Sequence, residues 1–184
     1  YYTIIKRTLF RNILLGIVGF VALLLIVAIF VPKKYTVSVT ETINRPQQEV
    51  FDYIKILDNQ KEYSVWVLAD PELKPEIIGQ DGTIGAIQKW NSKIDDVGEG
   101  EQEITSLSPN RIDVDLRFKR PFEGKAKASN ILKAITENQT EVTAEFYGDE
   151  AYPFNLMFYL FGRKMIADSE RQNLQNIKKI LESK

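Results

Sequence analysis

The clearest pattern in the chain is an uninterrupted apolar run near its start. Residues 13–31 read ILLGIVGFVALLLIVAIFV and hold no charged or strongly polar side chain. A helix of this length, at about 1.5 Å per residue, crosses a hydrocarbon core of roughly 30 Å and satisfies its own backbone polar groups inside lipid. The pattern predicts a transmembrane helix over 13–31, preceded by a basic tail over 1–12 and followed by a short linker over 32–34.

A cleavable signal peptide is the alternative interpretation of this run. The run is longer than the apolar stretch of about 7–15 residues found in such peptides, and no small-x-small cleavage site precedes Pro32. We therefore expect a retained single-pass anchor. Basic residues favour the cytoplasmic side of a membrane, and three precede the run while two follow it: Lys6, Arg7 and Arg11 against Lys33 and Lys34. The N-terminus is expected in the cytoplasm and the main domain outside it, in the periplasm.

Beyond residue 34 the chain alternates between apolar and polar side chains, which is typical of strands with one solvated face. This alternation predicts a strand over 35–43 and further strands near 74–78, 84–91, 99–107, 110–119, 124–135 and 139–147. In the clearest of them four apolar residues alternate with charged ones, namely Ile112, Val114, Leu116 and Phe118. Turn-forming pairs such as Asp81-Gly82 and Pro109-Asn110 separate the strands.

Helical spacing of apolar residues occurs on both sides of these strands. A short helix opens at Pro46, and a second short helix or turn lies near Trp66. From Pro153 to about Leu181 the chain predicts one long helix, whose apolar positions include Phe154, Met157, Phe158, Phe161, Met165, Leu174, Ile177 and Leu181. The order of elements predicts a single α+β domain over 35–184 with an antiparallel sheet.

Composition removes several kinds of chemistry. The chain has no His and no Cys, which excludes Ser-His-Asp and Cys-His nucleophiles, zinc sites of the usual kind, iron–sulfur clusters and His-ligated haem. We therefore predict no metal and no cofactor. The balance of 24 basic and 25 acidic residues disfavours nucleic acid as a partner, since binding it needs a basic face.

Several short motifs follow one another in a specific order. They are Ile43-Asn44-Arg45-Pro46, Glu49-Val50-Phe51, Trp66 before Asp70-Pro71, Gly85-Ala86, Trp90-Asn91, Val97-Gly98-Glu99-Gly100, Pro109-Asn110-Arg111-Ile112, the run from Leu116 to Gly124, and Pro153-Phe154-Asn155-Leu156-Met157. In this order they resemble the START-like or SRPBCC superfamily, in the group described as polyketide cyclase/dehydrase and lipid transport, over about residues 35–182. The resemblance implies the helix-grip fold, in which a curved antiparallel sheet wraps a long C-terminal helix and leaves a cavity between them.

The resemblance also implies which side chains face that cavity. Relatives often carry a Trp where this chain has Ala144, so the cavity is either larger here or filled by a neighbouring aromatic ring. The candidate ligand-binding residues are Trp66, Trp90, Phe118, Asn130, Phe146, Met157 and Phe161. Such an apolar lining with few polar groups suits a lipid, an isoprenoid or another hydrophobic molecule. Ordinary core packing is the alternative for each aromatic residue, and Asn130 bonds either a ligand or a neighbouring backbone group.

Carboxylate pairs are the remaining candidates for catalysis. Glu101 with Glu103, and Asp113 with Asp115, alternate with apolar neighbours and so belong on the solvated face; we assign no catalytic residue. The segment over 152–161 is apolar nearly all round, and it caps the cavity, touches the membrane or docks on a partner.

Three functions are compatible with these patterns. The first is a non-catalytic, membrane-anchored START-like domain that binds a hydrophobic small molecule or lipid. The second is an accessory or structural subunit of a larger membrane complex, which docks on other membrane subunits through its helix and domain surface. The third is a cyclase-like enzyme. The expected partners are membrane lipid, a hydrophobic ligand and other membrane subunits.

Overall fold

The computed structural model describes residues 2–184, with side chains from Lys6 onward; Tyr1, part of the predicted tail, lies outside the described residues. The helices are α1 (Tyr2–Phe30), α2 (Gln47–Ile54), α3 (Gln60–Tyr63), α4 (Val65–Leu68), α5 (Phe154–Met157) and α6 (Arg163–Glu182). A 3-10 turn covers Leu57–Asn59, and a π-helical segment, Phe158–Gly162, joins α5 to α6. The strands are β1 (Lys34–Ile43), β2 (Glu76–Ile78), β3 (Ile87–Asn91), β4 (Glu99–Ser108), β5 (Arg111–Arg120), β6 (Gly124–Thr136) and β7 (Gln139–Asp149).

The seven strands form one antiparallel sheet in the order β1-β7-β6-β5-β4-β3-β2. The first strand pairs with the last, with Val39 opposite Ala144, so the ends of the domain are held together at one edge. Register shifts interrupt the β4–β5 ladder near Gly100 and near Ile104, and such bulges bend a sheet. The predicted helix-grip architecture, a curved antiparallel sheet with a long C-terminal helix, is confirmed.

The core lies between one face of the sheet and the second half of α6. We call this face the inner face. Leu174, Ile177 and Leu181 of α6 are buried there against strand residues such as Val39 and Val142. The helix α2 closes the same end with Val50, Phe51, Tyr53 and Ile54. The helical spacing of these apolar residues explains why they share one buried face.

The first half of the long helix departs from the expected regular pattern. A π-helical segment interrupts it at Phe158–Gly162, where Gly162 is buried against the ring of Phe158. Phe154, Met157, Phe161 and Met165, which share the apolar spacing, are each more than half exposed. The part of the long helix that packs in the core therefore begins at about Ala167, which is itself only partly buried.

The helix α1 projects from the domain. It begins at Tyr2, so the described part of the basic N-terminal segment is helical as well. Among the described residues it is the one helix long and apolar enough to cross a membrane, over Lys6–Phe30. Its side chains are almost all exposed, which distinguishes it from the core helix of a water-soluble domain, whereas a signal sequence passes the same test of length and composition.

Candidate functional site

An apolar strip runs along the inner face of the sheet beyond the end covered by α2. It consists of six half-buried residues from three adjacent strands, namely Val114, Leu116, Phe118, Ala126, Ala128 and Phe146. Strand register places Ala128 opposite both Val114 and Phe146. The same face is fully buried further along, at Ile112 and Leu132. Because α6 packs mainly along β1, the strip stays partly open.

Two of the predicted site residues meet at the far end of this strip. The rings of Trp90 and Phe118 pack edge to face with their centroids 6.2 Å apart. Between them lies Gly100, paired with both in the sheet, where an added Cβ would stand 2.6 Å from the Trp90 ring. The glycine therefore makes room for the indole. Trp90 also lines an open cleft of about 340 Å³, whose other walls are mostly charged, including Asp70, Lys74 and Lys119.

The predicted residue Asn130 lies on the inner face between Ile112 and Ala144. It is half-buried, and its side chain makes no hydrogen bond to any of the described residues. A half-buried amide without a partner is available to a bound molecule. Ala144 beside it is buried in the core cluster, so its small side chain does not open a space at that position.

The other predicted residues are spread over the domain. Phe146 belongs to the strip, and its ring lies 6.3 Å from that of Tyr35. Trp66 is half-buried on α4. Met157 and Phe161 are 60% and 64% exposed, so the structure places them on the surface and not in an enclosed cavity. Their contact with a ligand stays a prediction.

A cluster of buried amides lies between the inner face and α3, and the sequence interpretation missed it. Gln102 donates to Gln60 and to Gln88 at 2.7 and 2.6 Å, and Gln88 donates to the carbonyl of Leu57 at 2.8 Å. These hydrogen bonds satisfy the two buried glutamines within the domain. The sequence could have indicated an inward position for Gln102, because it lies two residues from both Gly100 and Ile104, and alternate residues of a strand share a face.

A carboxyl group and a buried phenol that interact electrostatically were also missed. Tyr63 is buried, and desolvation together with the negative charge of Glu170 raises the pKa of its hydroxyl. Glu170 itself is half-buried on α6, where desolvation raises the pKa of its carboxyl although a hydrogen bond with Asn173 acts in the opposite direction. Its spacing of four and seven residues from Leu174 and Ile177 was the sequence signal for an inward position.

The carboxylate pairs named in the sequence lie on the outer face. Arg117 donates to Glu101 and Glu103 at 2.6 and 2.9 Å. The hydrogen bond from Arg117 and its positive charge lower the pKa of the Glu101 carboxyl. Asp113 and Asp115 are likewise paired, with Arg111 and Lys127. Their position on the outer face agrees with the alternation seen in the sequence. No group of three potential metal-ligating side chains occurs among the residues that the structure describes.

Comparison with known proteins identifies the fold. No protein-family model matches the chain, and no curated protein is similar to it in sequence. Solved structures do match. A protein from Mesorhizobium loti is 16% identical with a TM-score of 0.59, over 81% of this chain and 98% of that one. The protein Ara h 8.0201 is 14% identical with a TM-score of 0.57, over 82% and 99%.

The chain has the helix-grip fold of START-like proteins. The di-domain ARO/CYC BexL from the BE-7585A biosynthetic pathway shares it, at 13% identity and a TM-score of 0.59; the match covers 80% of this chain and 50% of BexL. At these identities the likeness is one of fold.

The helix-grip domain holds α1 by more than the chain connection. The side-chain amide of Asn155 donates to the carbonyl oxygens of Ala28 and Val31, at 2.8 Å each. The hydroxyl of Tyr152 donates to the carbonyl of Leu25 at 3.2 Å. Asn155 and Ala28 are both only 2% exposed. The last two turns of α1 are thus bound to the start of the long C-terminal helix.

Proposed function

We propose that this chain is a single-pass membrane protein whose helix-grip domain binds a hydrophobic small molecule or lipid and does not transform it. The observation that carries the proposal is the apolar strip, a partly open apolar surface inside the grip. Beside it lies the amide of Asn130, which has no hydrogen-bond partner among the described residues. Apolar walls with one or two polar groups are the usual composition of a site for a hydrophobic ligand.

The contacts of α1 support a retained anchor over a cleaved signal peptide. A signal peptide leaves the mature protein, yet here Asn155 and Tyr152 donate hydrogen bonds into the last turns of the helix. Removal of α1 would expose Asn155, which is otherwise buried. The exposed apolar side chains along α1 are stable in lipid and unfavourable in water. We place the N-terminus in the cytoplasm and the domain outside it.

A cyclase-like enzyme is the second candidate function, and one observation favours it. Desolvation raises the pKa of the Glu170 carboxyl, which interacts electrostatically with the buried Tyr63, and a carboxyl of raised pKa can serve as a general acid. An accessory subunit is the third candidate, supported by the exposed apolar side chains at the start of the long helix.

The bound molecule itself distinguishes these candidates. The full chain is purified in a mild non-ionic detergent and analysed by native mass spectrometry. Ligand binding predicts one hydrophobic species bound per chain, chemically unchanged on prolonged incubation. A species converted during incubation, with conversion lost in Glu170→Gln, would establish the enzyme. Chains free of any ligand and bound to other membrane subunits would contradict ligand binding and support the accessory role.

A further inference from the structure

The start of the long helix lies at the same height as the last turns of α1. Tyr152 bonds to Leu25, and Asn155 bonds to Val31. Leu25 precedes Val31 by about 9 Å along a helix that rises roughly 1.5 Å per residue. Where α1 crosses a bilayer, the level of Leu25 lies inside the apolar layer and the level of Val31 lies near its edge. Tyr152 and its neighbours are therefore held at membrane depth by α1.

The outward face of this segment is apolar. Phe154, Met157 and Phe161 are 69%, 60% and 64% exposed, and Leu160 and Met165 are more than half exposed as well. Their spacing of three to four residues puts them along one side of the helix. The opposite side carries Asn155 and Gly162, which are buried against the protein. This arrangement is the opposite of the one that water favours, because the helix buries its polar amide and exposes its aromatic rings.

Aromatic contacts with the sheet fix the orientation of this segment. The ring of Phe158 stacks on Tyr35 with centroids 4.4 Å apart, and Tyr35 lies beside Phe146 of the apolar strip. The π-helical turn brings Gly162 under the Phe158 ring, at a position where a Cβ would collide with it. A continuous row of aromatic side chains thus connects the exposed segment to the apolar strip.

Polar groups of the same region lie toward the end of α1. A cleft of about 130 Å³ is lined by Lys34, Tyr159, Arg163 and Asn155, among others. The guanidinium of Arg163 lies 5.1 Å from the centroid of the Tyr159 ring, and the Oδ1 atom of Asn155 has no hydrogen-bond donor among the described residues. Cations and tyrosines are the side chains that occupy the headgroup layer beside a membrane helix.

We propose that residues 152–165 form a second membrane contact, which lies in the leaflet that holds the C-terminal end of α1. Phe154, Met157 and Phe161 enter the acyl-chain layer, and Lys34 and Arg163 lie at headgroup depth. The inference rests on the proposed membrane anchor and adds to it: the row Phe158, Tyr35 and Phe146 joins the second membrane contact to the apolar strip.

Site-specific fluorescence tests this contact, since the chain has no native cysteine. Single-cysteine variants Met157→Cys, Phe161→Cys, Val18→Cys and Asn138→Cys of the full chain are labelled with an environment-sensitive fluorophore and reconstituted in phosphatidylcholine vesicles. Spin-labelled phosphatidylcholine and aqueous iodide serve as quenchers. The labels at positions 157 and 161 are expected to lose most of their emission to the lipid quencher, as the anchor label at position 18 does. The label at the exposed turn, position 138, responds to iodide alone.

The controls separate the two proposals. Iodide quenching at positions 157 and 161, with lipid quenching kept at position 18, would overturn the second contact and leave the anchor intact. Shielding of positions 157 and 161 from both quenchers would also overturn it, because those side chains would then be covered by protein. Absence of lipid quenching at position 18 would overturn the anchor and the second contact together.

Discussion

Asn155 donates a 2.8 Å hydrogen bond to the main-chain carbonyl of Ala28. The domain thereby supplies a hydrogen-bond donor to the last turn of α1. The last carbonyls of a helix have no partner within it, and a second bond from the same amide satisfies Val31. The contact orients α1 relative to the domain, because both residues are buried there.

Replacing this amide is expected to loosen the junction. Asn155→Ala removes both hydrogen bonds and leaves the Ala28 and Val31 carbonyls unpaired, at a cost of about 1–3 kcal/mol for a buried polar group. Thermal unfolding of the full chain in detergent measures the loss, with Asn138→Ala in an exposed turn as the matched control. Equal stability of the two variants would show that the hydrogen bonds of Asn155 do not stabilise the junction between α1 and the domain.

A glycine of β7 makes room for Tyr35. A Cβ at Gly148 would collide with the Tyr35 ring, whereas a Cβ at Gly124 of β6 meets nothing within 4 Å. Gly148→Ala is expected to displace the ring from Phe158 and to lower the free energy of unfolding by about 1–3 kcal/mol, as overpacking does. Each kcal/mol lowers the melting temperature by about 2–4 °C in a chain of this size. Gly124→Ala should leave it nearly unchanged; a similar drop in both would refute the steric explanation.

The desolvated carboxyl of Glu170 makes stability depend on pH. Its pKa in the folded state is raised above the ordinary value of 4.5, so the unfolded chain releases this proton first as the pH rises. The group's contribution to stability is therefore complete below about pH 4.5 and declines as the pH rises toward the raised pKa.

Glu170→Gln removes that decline. Denaturant unfolding across the pH range should find the variant gaining on the parent above about pH 4.5, with the difference levelling off once the folded-state carboxyl has ionised. The same substitution at Glu137, in an exposed turn, is the control. A difference between Glu170→Gln and the parent that does not change with pH would contradict the assignment.

Membrane orientation is testable with the same cysteine-free parent. Intact cells expressing Asn138→Cys are expected to react with a membrane-impermeant maleimide, because the domain lies outside the cytoplasm. Thr8→Cys, before the apolar run of residues 13–31, should react only after permeabilisation. Labelling at position 8 on a protein with the mass of the uncleaved chain would also demonstrate that the anchor is retained. The reverse pattern of labelling would invert the proposed topology.

The sheet was predictable because its signal is local. Apolar and polar side chains alternate along several strands, most clearly in β5, where Ile112 and Val114 alternate with Asp113 and Asp115. Antiparallel order follows from short turns between successive strands. The resemblance then supplied the arrangement of the long helix across this sheet, which local patterns alone do not determine.

The site was less predictable because its contacts are distant in sequence. Asn155 and Ala28 are 127 positions apart, and no periodicity connects them. Met157 and Phe161 are apolar residues of a predicted helix, and spacing cannot tell whether such a face turns toward the core or toward lipid. Glu170 was overlooked for the converse reason: a charged residue is usually exposed, and its burial depends on the packing of α6.

Ligand binding at the apolar strip is tested most directly by filling the strip. Ala128→Trp places an indole between Val114 and Phe146, whereas Ala134→Trp places one at an exposed position of the same strand. Both full-length variants and the parent are purified identically, and the bound hydrophobic molecules are extracted and quantified against protein. We expect one species per chain in the parent and in Ala134→Trp and its loss from Ala128→Trp. Equal recovery from all three proteins, or none from the parent, would contradict the proposed site.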